Sequence, residues 1–279
     1  MQAMLESPLN DDISPQKSVI STIKKIFTNR FVLYGISIIL FFIIWDLCAL
    51  QSHGKFLPRP LEVLSKLKSI LFVPLAGKTL LEHLWYSLRR VLIAFAIAAV
   101  MGIPLGIIMG VNKYIHALVK PLFDLFKPMP PIAWISLAIL WFGIGETSKV
   151  FIIIIGAFVP VVINSFNGIR LIDPELYDAV RSLGGNHRDE VLQVTLPASF
   201  PAIFAGLQIS LSMAWSTVVA AELVGAREGM GFIITKGMNL SDSAMIIGGM
   251  VMIAVTSFLI SYLMNRLERW VCPWKTELN

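Results

Sequence analysis

Apolar residues in this chain gather into runs of membrane-crossing length, separated by shorter polar stretches. A hydrocarbon core about 30 Å thick is crossed by roughly 20 helical residues. Runs of this kind cover Phe31–Leu50, Leu84–Met109, Lys149–Asn167, Ala198–Leu223 and Ala244–Met264. A sixth, Ile132–Phe142, is short unless it begins upstream near Leu118, which puts Pro128-Met-Pro-Pro131 at membrane depth. Irregular backbone is tolerated there only against protein or a water-filled cavity. Pro130, Pro131 and Trp134 are therefore candidates for a path wall, with a simple kink as the alternative. The pattern predicts an all-α integral membrane protein of about six transmembrane helices, both termini on one face.

Between Lys149–Asn167 and Ala198–Leu223 lies a polar stretch of different character. Asp173 suits a helix N-cap and Pro174 a first turn, where a missing N–H costs nothing. Leu176, Ala179, Val180 and Leu183 recur at helical spacing. Gly184-Gly185 ends this helix, because glycine reaches the left-handed conformation at a C-terminus. Asn186 then caps a second short helix that Pro197 closes. The prediction is a compact helix–turn–helix hung between two spans, with an apolar stripe that needs a partner. A plain connector is the alternative. A DNA-binding motif fits poorly, because Arg170, Arg181 and Arg188 are offset by Asp173, Glu175, Asp178, Asp189 and Glu190.

Composition agrees with a membrane protein. The 279 residues are 56% hydrophobic and 15% charged, against about 25% charged in soluble domains. The net charge of +5 suits a chain edged by anionic lipid. Residues 1–30 are polar, and their acidic start without a small-residue cleavage site argues against a signal peptide. Val19, Ile20, Ile23, Ile26 and Phe27 suggest a short amphipathic helix at the membrane surface, with a disordered tail as an equal alternative. Asp46 reads as an end marker of the first span, and Leu61, Leu64, Leu67 and Leu71 suggest an interfacial helix. Gly102, Gly106 and Gly110 stand four apart, a spacing that allows close helix contact in lipid, and Pro104 should bend that helix. Arg89 and Arg90 at its entrance suit snorkelling to head groups; attraction of an anionic substrate is the sharper alternative. Residues 224–243 read as a loop holding Gly225, Gly229 and Gly231.

Several chemistries are disfavoured. Gly77-Lys78-Thr79 looks like the end of a phosphate-binding loop, but the glycine required five residues earlier is Phe72. Cys48 and Cys272 make no disulfide framework, and His53, His83, His116 and His187 lack metal-ligand spacing. The span interiors hold almost no ionisable residues, which counts against the main rival, a secondary transporter or channel.

The polar loop also carries a resemblance. Asp178-Ala179-Val180, then Gly184, then Val194-x-Leu196-Pro197 is similar to the Glu-Ala-Ala, Gly, Ile-x-Leu-Pro loop of the inner-membrane permeases of bacterial ABC importers. Asp for Glu and Val for the second Ala are departures. Lys127–Trp134 and Trp141–Lys149 resemble the branch that imports sulfonates, taurine and nitrate. Ala214–Leu223, Gly229–Phe232 and Arg269–Trp274 look closest to its taurine permeases. The likeness covers about residues 56–275.

What the resemblance implies is specific. The fold is that of a type I, binding-protein-dependent ABC importer permease. Its parts are an amino-terminal cytoplasmic segment (1–30), a first helix with a periplasmic loop (31–80), a core permease domain (81–270) and a cytoplasmic tail (271–279). Loop 170–199, with Asp178, Ala179, Gly184, Leu196 and Pro197, forms coupling helices that sit in the ATPase. The partners are a second copy of the chain, two ATP-binding cassette subunits that hold ATP and Mg, a periplasmic binding protein and membrane lipid, with no nucleic acid. No cofactor, metal or enzymatic activity is expected in this chain. The location is the bacterial inner membrane with both termini cytoplasmic, and the distribution of Lys and Arg leans the same way. The expected cargo is a small sulfonate, taurine first, with alkanesulfonates or nitrate as alternatives. Its contacts are sought at Trp215, Ser216 and Thr217, with Trp134 and Ser136 across the path, since hydroxyls and an indole N–H donate to a sulfonate. Backbone bonding and packing are the bland alternatives for each. Glu222, near the end of its span, is expected to pair with Arg227 or meet the binding protein in a structural or gating role.

Overall fold

The computed structural model describes residues 30–52 and 57–274, so the amphipathic helix expected at 19–27 lies outside the described residues. The chain divides into two compact units, Met1–Glu62 and Val63–Asn279. In the first, α1 (Arg30–Gln51) is an apolar helix whose side chains are almost all exposed, as a lipid-facing span requires. Asp46 is more than an end marker. Its two carboxylate oxygens accept from Arg59 Nε and Nη2, each at 2.9 Å, while Trp45 Nε1 donates to the Pro58 carbonyl at 3.0 Å. Pro58 and Arg59 are thereby held at the end of α1. The next helix, α2 (Pro60–Phe72), fulfils the expected leucine-rich helix.

The second unit is built on α3 (Leu80–Val111), α6 (Glu146–Arg170) and α9 (Leu196–Leu223). Thr79 and Glu82 start α3 with a reciprocal capping box, the Glu82 carboxylate accepting from the Thr79 N–H at 2.6 Å. The helix then runs through Pro104 to Val111 as one element. α6 lies between α3 and α9 and makes its most extensive interfaces with these two. Lipid offers no hydrophobic drive for helix association, so close packing and hydrogen bonds must supply it. The glycine stripe of α3 does the first. A Cβ on Gly106 would stand 2.6 Å from Ser165 Cβ and 2.7 Å from the Val162 carbonyl of α6, so only glycine permits this approach. The second is met on the other flank, where Ser210 Oγ of α9 donates to the Ala157 carbonyl at 2.7 Å. Val91, Ala94, Ala98, Ile153, Ala157, Ala214 and Val218 fill the core between.

The remaining elements are α4 (Lys113–Phe126), a 3-10 turn Pro131–Trp134, α5 (Ile135–Phe142), α7 (Pro174–Ser182), α8 (His187–Asp189), a π-helical turn Glu190–Thr195, α10 (Met230–Asn239) and α11 (Ser243–Val271). Among the described residues, five helices are long and apolar enough to cross a membrane, or up to six if the bent pair 113–126 and 131–142 is one span. The two halves of that pair turn by 85° about the predicted proline break. Two expectations are corrected. The stretch 224–243 is not merely a loop, because α10 lies within it and buries Met230 and Ile233 against Ile70, Leu80 and Met245. Pro197 does not close a helix either. Chain 187–223 is continuous, and the wide π turn before Leu196 lets Pro197 occupy the opening turn of α9. Asp242 begins α11 by accepting from the Met245 N–H at 3.0 Å and also pairs with Lys66. Burial pushes its carboxyl up, but Lys66 and that N–H outweigh burial and hold it below its ordinary value.

Candidate functional site: a projecting loop and an opposed ionic cluster

α3 and α6 run in the same direction, Gly102, Gly106 and Gly110 meeting Val161, Ser165 and Ile169 in turn, and α9 returns antiparallel to α6. Loop 170–199 therefore lies at one end of the bundle, while residues 80–90, 146–149 and 222–231 lie at the other. α6 alone separates the two ends by about 36 Å.

The loop is held by local chemistry. Asp173 Oδ1 accepts from the Glu175 N–H at 3.0 Å and Pro174 occupies the first turn of α7. At its far end the Gly185 N–H reaches the Val180 carbonyl and the Gly184 N–H the Arg181 carbonyl, both at 2.9 Å, with Gly184 at φ +82°. This double closure needs the left-handed backbone that glycine adopts freely. Asn186 and Asp189 form a second capping box. Arg181 Nε donates to Glu190 at 2.6 Å, clamping the two short helices, and Tyr177 shares a 3.2 Å hydrogen bond with Thr195 at the foot of α9. The apolar side chains stay outside this frame: Leu171 is 83% exposed, Leu183 89% and Leu192 63%. Asp178, Ala179 and Gly184 lie on the exposed surface, whereas Leu196 and Pro197 are half-buried at the start of α9. The structure therefore separates the five motif residues into an outer group and an anchoring pair.

At the opposite end, His83, Ser87 and Arg90 share one face of α3 and are all buried. Arg90 Nη1 donates to Glu222 at 2.7 Å, while Nε and Nη2 make a two-point contact with Glu146, each at 2.7 Å. Glu228 adds its carbonyl at 3.1 Å and a carboxylate oxygen at 3.4 Å, and itself pairs with Lys78. Glu222 also accepts from Ser87 Oγ at 2.8 Å and from the Gly231 N–H at 2.9 Å. The Met230 N–H donates to Ser87 Oγ at 2.8 Å, and the Gly229 N–H to His83 Nδ1 at 3.1 Å. Because Nδ1 accepts there, the Nε2 of His83 carries the proton it gives the Leu75 carbonyl at 3.0 Å. These side chains satisfy the first N–H groups of α10, which a helix cannot satisfy itself, and place a carboxylate at its positive end.

This cluster corrects two expectations. Glu222 pairs with Arg90, not Arg227. Arg89 is exposed as a snorkelling residue should be, but Arg90, about 100° round the helix, points into the protein with its donors engaged. A guanidinium so engaged is not available to a substrate anion. Sequence reasoning missed Glu146, Glu228, Ser87 and His83. The legible signal was the spacing of His83, Ser87 and Arg90, three polar groups on one side of a membrane-length helix.

The residues proposed to line a path fall into two groups. Trp215 is buried and its indole N–H donates to the Ile253 carbonyl at 2.9 Å; Thr217 is buried and donates to the Met213 carbonyl at 2.7 Å. Both have spent their donors inside the protein. Ser136 and Ser216 are exposed, Pro130 is exposed, and Trp134 is half-buried beside Phe126. Pro131 and Thr217 are brought together over Gly156 of α6.

This is a multi-pass membrane permease with one bundle end closed on itself and the other bearing a charged loop with exposed leucines. Residues 102–276 match the family described as the binding-protein-dependent transport system inner membrane component, and the chain belongs to that family. It is 36% identical over 241 residues to the taurine transport system permease protein TauC of Escherichia coli (strain K12), covering 84% of this chain and 86% of that protein. It is 30% identical over 253 residues to the nitrate import permease protein NrtB of a Synechocystis strain, covering 89% and 92%. In three dimensions it matches a chain of the inward-facing MetNI methionine ABC transporter with a TM-score of 0.59 at 21% identity, over 67% of this chain and 93% of that one. The fold is that of a type I ABC importer permease, and the chain is the permease component, with ATP hydrolysis carried by separate ATPase subunits.

Proposed function

We propose that this permease moves a small sulfonate, taurine first, inward across the bacterial inner membrane, and that loop 170–199 is where the ATPase takes hold. The observation that carries the coupling role is the set of exposed leucines, Leu171, Leu183 and Leu192, on a loop whose backbone is rigidly capped. A rigid segment with uncovered apolar side chains transmits force only when a second protein covers them. On this reading the loop and both termini are cytoplasmic and the ionic cluster is periplasmic. A cycle between two states needs a ligand that distinguishes them, and ATP on the partner subunits serves that role through this contact. Two copies of the chain, two ATPase subunits and a periplasmic binding protein complete the machine. The taurine assignment is supported by 36% identity to a taurine permease over most of both chains. Ser136 and Ser216, which keep exposed hydroxyls, are the polar candidates along the route, beside the Pro131–Thr217 junction at Gly156.

The test is ATPase stimulation in proteoliposomes holding the permease, its ATPase and its binding protein. Taurine should stimulate the wild type. Gly184→Pro should abolish the stimulation, because proline cannot adopt the φ of +82° there. Stimulation by nitrate but not by any sulfonate would overturn the substrate, and uptake without an ATPase partner would overturn the whole assignment.

A further inference from the structure

α4 is amphipathic, unlike the long spans. Lys113, His116, Lys120, Asp124 and Lys127 recur three or four residues apart along one side, while Leu118, Leu122 and Leu125 are exposed on another. Two cavities lie between this helix and the α3–α6 pair. The larger, about 420 Å³, is walled by Leu105, Phe123, Phe126, Trp134, Phe151 and Phe158 among others, and Lys127 is the one charged residue lining it. The smaller, about 230 Å³, is lined by His116, Lys120, Asp124, Lys127 and Asn167 along with apolar neighbours. Phe123 and Lys127 belong to both, so the two form adjoining parts of one slot. Along α6 the apolar part spans residues 151–159 and the polar part 162–167, close to the helix end at Arg170. The slot is therefore polar towards the end of the bundle and apolar towards its middle.

We propose that this slot holds an anionic phospholipid, its phosphate at Lys127 and Lys120 and an acyl chain along the aromatic wall. The order of polarity is that of a lipid leaflet, and a basic pocket between helices near the membrane surface suits anionic head groups. Charge complementarity selects the anion. Lys120 is partly neutralised by Asp124, whereas Lys127 has no ion pair among the described residues. The slot does not suit taurine, which is polar at both ends and would leave the aromatic chamber empty. This inference concerns lipid alone and stands apart from the identity of the cargo.

Trp134 supplies the measurement. The permease complex is reconstituted in vesicles doped with phosphatidylglycerol or phosphatidylcholine brominated on the acyl chains, and tryptophan quenching is compared between wild type and Trp134→Phe. The part of the quenching that depends on Trp134 should appear at about fivefold lower mole fraction for the anionic lipid, the effect of roughly one lysine. Lys127→Gln should close that gap without changing quenching by phosphatidylcholine, while Lys113→Gln, outside both cavities, should leave it. Equal quenching by the two lipids, a gap that survives Lys127→Gln, or no Trp134-dependent quenching because a second copy covers the slot would each overturn the proposal.

Discussion

The two ends of the bundle handle polar groups in opposite ways. At the ionic end, Arg90 and Glu222 are withdrawn from solvent and matched within the chain, so that even the N–H groups opening α10 find side-chain acceptors. At the loop end, charged residues such as Asp178 and Arg181 remain exposed, and leucines are exposed beside them. One end is complete as a single chain; the other is a capped frame whose leucines, on the proposed coupling role, await a partner. A permease driven from a separate subunit needs this asymmetry, since one end must accept a moving partner while the other keeps the helices in register.

The contrast can be broken most forcibly at Arg90. Replacing it by Met leaves Glu222 buried without its cation, a change that costs about 3–5 kcal/mol. Thermal unfolding in detergent should show a large fall for Arg90→Met and a smaller one for Glu222→Gln, whose amide still accepts from Ser87 and Gly231. Equal stability of Arg90→Met and wild type would contradict a closed ionic end. Next in size is Gly106→Leu, which forces α3 away from Ser165 and Val162 and should cost about 1–3 kcal/mol by overpacking. The same unfolding assay reads it.

A smaller effect belongs to Asp242. Its carboxyl is held below the ordinary value in the folded protein, chiefly by Lys66 against the opposing effect of burial. The stabilisation is therefore present above the unfolded pKa and disappears as pH falls through the lower folded one. Between about pH 4 and more acidic conditions, wild type should lose stability more steeply than Asp242→Asn. Parallel curves for the two proteins would remove this ion pair from the account.

Local chemistry made much of this legible in the sequence. The N-cap at Asp173, the glycine closure at Gly184 and the cap at Asn186 each depend on residues within a few positions, and each stands as expected. The stripe of Gly102, Gly106 and Gly110 announced a helix contact because its spacing is a property of one helix, although only the structure identifies Val161, Ser165 and Ile169 as what it meets. The ionic cluster was not legible for the converse reason. Arg90 lies 56 residues from Glu146 and 132 from Glu222, so no local pattern joins them. Helix α10 escaped because ten residues with glycines at 229, 231 and 237 resemble a loop, and its N–H groups and apolar face are met by residues distant in the chain, on α2, α3, α9 and α11. The π turn before Pro197 is a tertiary adjustment with no composition of its own.

The sharpest discrimination between the two ends is Leu183→Asp. Leu183 is 89% exposed, so the change should alter stability by no more than about 0.5 kcal/mol. The decisive measurement is co-purification of the ATPase subunit with the permease, made beside thermal unfolding of the permease alone. The account predicts that Leu183→Asp loses the ATPase while its unfolding temperature stays at the wild-type value. Retention of the ATPase at wild-type stoichiometry would contradict the claim that the exposed leucines of loop 170–199 are the partner's seat.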